Sequence, residues 1–325
     1  MGIRQPVTIS LIAPVYRVEK YIGRFADSVF SQSYPHIQFV FVNDGTDDSS
    51  MEILDSMIRN GYSHLKERII IVNQPNCGLP AARKKGMEYA TGDYVWHIDS
   101  DDWLEEDAVR KIAESASRTD ADIIYFDFCR EYVGKTKIAK EKDYDVSMKS
   151  LYQRNMCNHK AYGSVWNKCV KRRLYLDNVV HFPPYNHAED IFLMSQLVGY
   201  AKSLVHLKEA LYHYRSDNPD ALTKQFSEKK RMELILNYMS LYEAFCETPD
   251  SPVSPVQNDI FYRAGKYALI YRLGLFGRYP YLADRISEAP LDCKGGVSVF
   301  VQLLLKLYAW LRRKKIKRTE HQSFL

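Results

Sequence analysis

The chain has 325 residues, 46% of them hydrophobic and 26% charged, with 45 basic and 40 acidic side chains. That is enough apolar material for one full core with a smaller appended unit, so a disordered chain is excluded as the default. The six cysteines form no CxxC pair and have no histidine at zinc spacing, which speaks against a disulfide framework or a structural zinc and for a reducing cytoplasmic setting.

The first 130 residues alternate apolar strands with helix-like segments, the pattern of βαβ units around a mostly parallel sheet. A strand is predicted over Thr8 to Ala13, followed by the turn Pro14 to Arg17. A helix follows between Val18 and Ser31, where Tyr21, Ile22, Phe25, Val29 and Phe30 recur at three- and four-residue intervals. The second strand, Gln38 to Asn43, delivers Asp44 beside Gly45. The Asp44 carboxylate has two readings there, a bond to a ligand's ring or ribose and a local turn bond; Asp48 is placed to cap the next helix. The third strand, Arg68 to Val72, leads to Asn76, Gly78 and, one turn into a helix, Arg83. Its guanidinium could meet phosphate or simply face solvent beside Lys84 and Lys85.

The fourth strand, Tyr94 to Ile98, runs into Asp99, Ser100, Asp101 and Asp102, with a helix expected to open near Leu104. Carboxylates at a strand end can hold Mn²⁺ or Mg²⁺ together with substrate phosphates, or they can cap a helix. One acid suffices for a cap, and three within four residues repel one another, which favours the metal. Open α/β sheets bind ligands beyond the carboxyl ends of their strands, so these loops can share one ligand.

A fifth strand, Asp122 to Phe126, precedes a longer excursion with an amphipathic helix or two around Met148 to Asn167. Glu189 and Asp190 then open the apolar helix Ile191 to Val198, suited either to general-base work or to stabilising that helix's start. Leu204 to Tyr214 reads as strand. In it His213 could reach a metal or pyrophosphate, or serve as a structurally bonded histidine. After Ser227 the chain turns helical, with breaks at its prolines.

In order and spacing, these residues resemble a family 2 glycosyltransferase of the GT-A fold. The resemblance runs from Thr8 to about Lys224 through Ala13-Pro14-Val15-Tyr16, Tyr21, Ser31-Gln32-Ser33-Tyr34 and Val42-Asn43-Asp44-Gly45-Thr46-Asp47-Asp48-Ser49. It continues through Asn76, Gly78, Ala82-Arg83, Gly86, Gly92, Tyr94, the DxD triplet Asp99-Ser100-Asp101, and Glu189-Asp190 with Phe192. It implies a Rossmann-like α/β catalytic domain over residues 1–226, and the helical pattern after Ser227 sets off a helical region over 227–325. The implied reaction moves a sugar, with inversion, from a nucleoside diphosphate (UDP) to an acceptor hydroxyl in cell-surface polysaccharide or lipid-linked oligosaccharide synthesis. It also implies that Pro14, Tyr16, Asp44, Arg83, Asp99 and Ser100 bind the nucleotide sugar, that Asp101 and Asp99 hold Mn²⁺ or Mg²⁺, and that Asp190 is the base, with Glu189 supporting it or the acceptor. Arg17, Lys84, Trp96 and His97 depart from the usual pattern and leave the sugar unspecified.

The charge is concentrated in a tail. Seven cations and no acid lie between Lys306 and Arg318, behind the apolar segment Val297 to Leu311, leaving 38 basic against 40 acidic residues elsewhere. No stretch reaches the ~20 apolar residues of a membrane span, and no signal-peptide pattern stands at the N-terminus. Residues 297–318 can lie at an anionic membrane surface near a lipid-linked acceptor, or pack on protein. The basic run lacks interleaved aromatics, so nucleic acid is not an expected partner; a homo-oligomer is left open. Two competing functions stand beside the transferase. One is a nucleotidyltransferase, which would want a Gly-rich loop after the first strand where Ala13 to Arg17 has none; the other is a non-catalytic nucleotide-sugar-binding scaffold at a membrane.

Overall fold

A computed structural model describes residues 6–218 and 227–245; the tail 297–318 lies outside the described residues. In chain order the elements are β1 (Ile9–Val15), α1 (Ile22–Phe30), β2 (Ile37–Asp44), α2 (Ser50–Asn60), β3 (Ile69–Gln74), α3 (Leu79–Tyr89), β4 (Tyr94–His97), β5 (Trp103–Leu104) and α4 (Ala108–Thr119). They continue with β6 (Ile123–Tyr132), β7 (Lys135–Ala139), α5 (Lys149–Cys157), β8 (Lys168–Lys171), α6 (Arg172–Leu176), α7 (Glu189–Tyr200), β9 (Leu204–Arg215) and α8 (Glu228–Phe245).

One sheet runs β3-β2-β1-β4-β8-β6-β9-β5, with β7 added to β6. Its first four strands are parallel to one another, as expected for βαβ units. Beyond β4 it becomes mixed: β8 is antiparallel to β4 and β6, while β9 is parallel to β6. The strand order reverses between β1 and β4, the position at which doubly wound sheets open a crevice for a ligand.

Period-two alternation sorts the strand side chains into two cores. Leu11, Ala13, Phe39, Phe41 and Trp96 face a layer containing Phe25 of α1, Leu54 of α2 and Ile112 of α4. Ile12, Val40, Val42 and Val95 face the opposite layer, with Ala82 of α3, Tyr152 of α5 and Leu193 of α7. Both sheet faces are thus covered, which explains why these strands read as continuous apolar runs. Each buried large side chain contributes on the order of 1.5–3 kcal/mol. At Gly86 a Cβ would stand 2.3 Å from Ile12 Cγ2, so glycine lets α3 lie directly on β1.

One local expectation needs correction. No helix opens near Leu104: Trp103 and Leu104 pair antiparallel with His213 and Tyr212, and the Glu105 amide donates to the Leu211 carbonyl. Ladder bonds and the stacking of Trp103 on His213 override local helical tendency, and the helix starts only at Ala108. The 148–167 stretch yields the helix α5 and then loop, because Ser164 and Asn167 are tied to each other and to the Lys168 ammonium.

Candidate active site

The loop after β1 carries Tyr16, whose ring is exposed, and Arg17, in the left-handed region at φ 51°. Arg17 reaches across to the loop after β2, where its guanidinium grips both oxygens of Asp47 at 2.7 and 2.6 Å. Pro14 is buried within β1 beside Val42, and its carbonyl accepts the Ser100 hydroxyl at 2.7 Å. The Ser100 side chain therefore ties the loop after β4 to β1 across the crevice.

Asp44 ends β2 and is buried. One of its oxygens accepts from Gln74 Nε2 (2.7 Å) and the Cys77 amide (2.9 Å), the other from the Gly78 amide (2.9 Å). Its carboxylate shapes the loop after β3, so any role at a nucleoside passes through that loop. Gly78 has φ +90°, and a Cβ there would lie 2.5 Å from Asn186 Oδ1. That same Asn186 oxygen accepts from the Leu79 amide at 3.0 Å, joining the start of α3 to the segment before α7.

Asp99, Asp101 and Asp102 cap no helix: they lie six or more residues before Ala108, where Asp107 holds the N-cap position. Each is held from the far side of the chain. Asp102 accepts from the Tyr212 hydroxyl (2.7 Å) and the Arg215 amide (2.7 Å), which occupies both oxygens. Asp101 accepts from Asn218 Nδ2 through one oxygen (2.8 Å), and its backbone carbonyl takes Arg215 Nε. Burial pushes all three carboxyls up: Asp99 to about 6, against the opposing Arg83; Asp101 more modestly, offset by Asn218; Asp102 far above the usual range.

Arg83 is the centre of the arrangement. It is 1% exposed, and its guanidinium pairs with Asp99 Oδ1 at 2.7 Å and with Glu189 Oε1 on the opposite wall. The side chain does not face solvent beside Lys84 and Lys85; it crosslinks the two acidic motifs. Arg83 Nε and Glu189 Oε2 have no protein partner, which leaves hydrogen-bonding capacity inside the cluster.

Glu189 and Asp190 form the first turn of α7, after Ala188 in the left-handed region. Asp190 is half-buried, makes no hydrogen bond or ion pair among the described residues, and lies close enough to Asp99 to help raise it. The segment before it is fixed from α8. Buried Asn237 accepts from the Tyr185 amide (3.1 Å) and donates to the carbonyls of Tyr185 (2.7 Å) and His187 (2.8 Å). Asn186, Asn237, Tyr212, Arg215 and Asn218 had no signal in the sequence, since each acts on an element far away along the chain.

His213 does not turn toward the acidic loop's carboxylates. It stacks on Trp103 and sits between Glu131 (2.7 Å) and Glu105 (2.8 Å). Its ring nitrogens are thus engaged away from Asp99 and Asp101.

The oxygen donors fit a hard divalent cation. Asp99 keeps one carboxylate oxygen clear of Arg83, Asp101 keeps one clear of Asn218, and burial makes both costly to leave as bare anions.

The model of the family "Glycosyl transferase family 2" matches residues 10–181. The chain is 32% identical over 237 residues to the glycosyltransferase GlyA of Streptococcus pneumoniae serotype 4, an alignment covering 70% of this chain and 33% of that protein. It is 30% identical over 241 residues to EpsH of Bacillus subtilis (strain 168), covering 72% of this chain and 67% of EpsH. It thus spans a third of GlyA's length and two thirds of EpsH's. In fold it resembles S. aureus TarS 1–349 in complex with UDP, with a TM-score of 0.65 at 18% identity over 96% of this chain and 92% of that one.

Proposed function

The chain belongs to glycosyl transferase family 2, and we propose that it is a metal-dependent inverting transferase. It would move a hexose from a uridine diphosphate donor to the hydroxyl of a saccharide or lipid-linked acceptor in polysaccharide synthesis. The observation that carries this reading is the buried Arg83, which holds Asp99 and Glu189 on either side of one guanidinium and so sets the acidic loop and the start of α7 around a common space. The UDP bound by the TarS fragment of like fold supports a uridine donor.

In this reading the exposed Tyr16 ring stacks on the base, and Pro14, Asp44 and Ser100 act by shaping the loops around the nucleotide. Asp101 and Asp99 would hold Mn²⁺ or Mg²⁺, which would supply charge neutralisation for the leaving group. Asp190, without a competing partner, accepts the acceptor hydroxyl's proton as that oxygen attacks the anomeric carbon from the face opposite the diphosphate. Glu189, neutralised by Arg83, keeps α7's first turn in place and so supports Asp190. No protein nucleophile is required for a single displacement. Residues 297–318 would bring the enzyme to a membrane-borne acceptor; among the described residues no helix is long and apolar enough to cross a membrane.

The test is diphosphate release from a panel of UDP-sugars with Mn²⁺, in the wild type and in Asp190→Asn. Loss of a base lowers kcat by roughly 10²- to 10⁴-fold while UDP binding, followed by thermal shift, persists. Turnover that is unaltered in Asp190→Asn removes Asp190 from this role; binding without turnover in the wild type points to the scaffold instead.

A further inference from the structure

His213 and Cys129 occupy register-paired positions on the parallel strands β9 and β6, so their side chains leave the same sheet face side by side. Trp103 pairs with His213 from the other edge, and Glu105 lies two residues beyond it. The result is a His/Cys/Glu cluster drawn from two strands and the residue that follows β5: His213, Cys129 Sγ and a Glu105 carboxylate oxygen offer donors that all lie within 4.8 Å of one another. A tetrahedral ion with bonds of about 2.0–2.3 Å wants donors roughly 3.5 Å apart, so an adjustment of about an ångström completes the set. Glu105 can provide it, since its side chain is 45% exposed.

The cluster has two further features of a metal centre. Glu131 Oε1 lies 2.7 Å from His213 Nδ1, the carboxylate–histidine arrangement that fixes the tautomer and turns the bare Nε2 toward a metal. In addition, Glu105 and Glu131 place two carboxylates beside His213, and a bound dication would offset them and the thiolate that Cys129 forms on binding, against Arg24 and Arg215 stacked on the neighbouring Trp103 ring.

We propose that Glu105, Cys129 and His213 bind a zinc-class ion, with water in the fourth position, at a site separate from Asp99 and Asp101. The thiolate and imidazole select Zn²⁺ or Co²⁺ over Mg²⁺ and Mn²⁺, which prefer all-oxygen sites. Binding forms bonds to Sγ, Nε2 and a Glu105 oxygen and releases the Cys129 thiol proton, together with the Nε2 proton that Glu105 otherwise accepts, to solvent; nothing is oxidised or reduced. The ion would lock β5 to β6 and β9, and so brace the acidic loop that runs into β5.

The experiment strips the full chain with a chelator and titrates it with Co²⁺, following the thiolate-to-cobalt charge-transfer absorption. The expected result is saturation of that band at one equivalent, loss of the band in Cys129→Ser, and affinity weakened by roughly 10- to 100-fold in Glu131→Gln. His213→Gln and Glu105→Gln should weaken it as well, which keeps the test valid if Cys129→Ser unfolds. Asp101→Asn should leave the band intact, separating this site from the one proposed for catalysis. A band that survives in Cys129→Ser or follows the exposed Cys77, or no band at all, overturns the proposal and leaves His213 as a proton-held bridge between two glutamates.

Discussion

The loops after β2 and β4 are about equally acidic, with three aspartates each, yet the structure treats them in opposite ways. After β2, Asp44 takes three donors and Asp47 a bidentate Arg17, which holds Asp47 below the usual carboxylate range. Burial raises Asp48, but bonds from Ser50, Thr46 and the Glu19 amide outweigh it and bring the carboxyl down. After β4, burial outweighs the donors, and Asp99, Asp101 and Asp102 are all raised. Sequence acidity is therefore not the property that marks a reactive site. Asp102, with both oxygens taken, is structural like Asp44, whereas Asp99 and Asp101, held dry with one oxygen each unbonded, stay available to a cation or proton.

The strongest way to break this contrast is to remove the cation that makes the second loop tolerable. Arg83→Met leaves Glu189 and Asp99 facing each other without a counter-charge and should cost on the order of 3–5 kcal/mol, read as a drop in the urea midpoint. Paired substitutions address the contrast itself. Asp44→Asn strands donors in the loop after β3 and should destabilise by about 1–3 kcal/mol, while Asp101→Asn, which removes a desolvated charge, should raise the melting temperature of the metal-free protein. If both move in the same direction, the distinction fails.

A smaller effect extends the comparison to α7. Asn237→Ala frees the 185–187 backbone and should lower kcat about tenfold by displacing Asp190, with a smaller rise in donor KM passed through the Asn186 bond to the start of α3. The smallest effect is a pH slope. Lys168, enclosed near Glu141, has its pKa lowered by burial to about 8 from 10.5. The unfolded chain binds more protons between those values, so this group's contribution to stability rises with pH from about 8 to 10.5 and is missing below pH 8. Urea midpoints at pH 7.5 and 9.5 should show that rise in the wild type and a flatter response in Lys168→Gln.

Much of the first half was legible because local chemistry repeats there: each apolar run ends in a polar turn, and the turns carry Tyr16, Asp44, Gly78 and the acidic loop. The Glu189-Asp190 pair was legible for the same reason, as acids opening an apolar helix. What escaped was long-range. Nothing near Arg83 signals that it bridges residues 99 and 189, because neighbouring Lys84 and Lys85 give it the look of a solvated surface. Trp103 and Leu104 became a strand only because β9 lies beside them. Asn237 reads as an ordinary polar residue of a helix, and its role depends on where α8 docks.

The Tyr212 hydroxyl accepts the Asp99 amide and donates to Asp102, so the acidic loop takes its shape from a residue more than a hundred positions later. During synthesis the four parallel strands and their helices can collapse as the ribosome releases them, but the loop stays unformed until β9 threads between β6 and β5. A nascent chain that stops short of β9 should therefore be compact yet inert, and competence to bind a donor should arrive in a single late step.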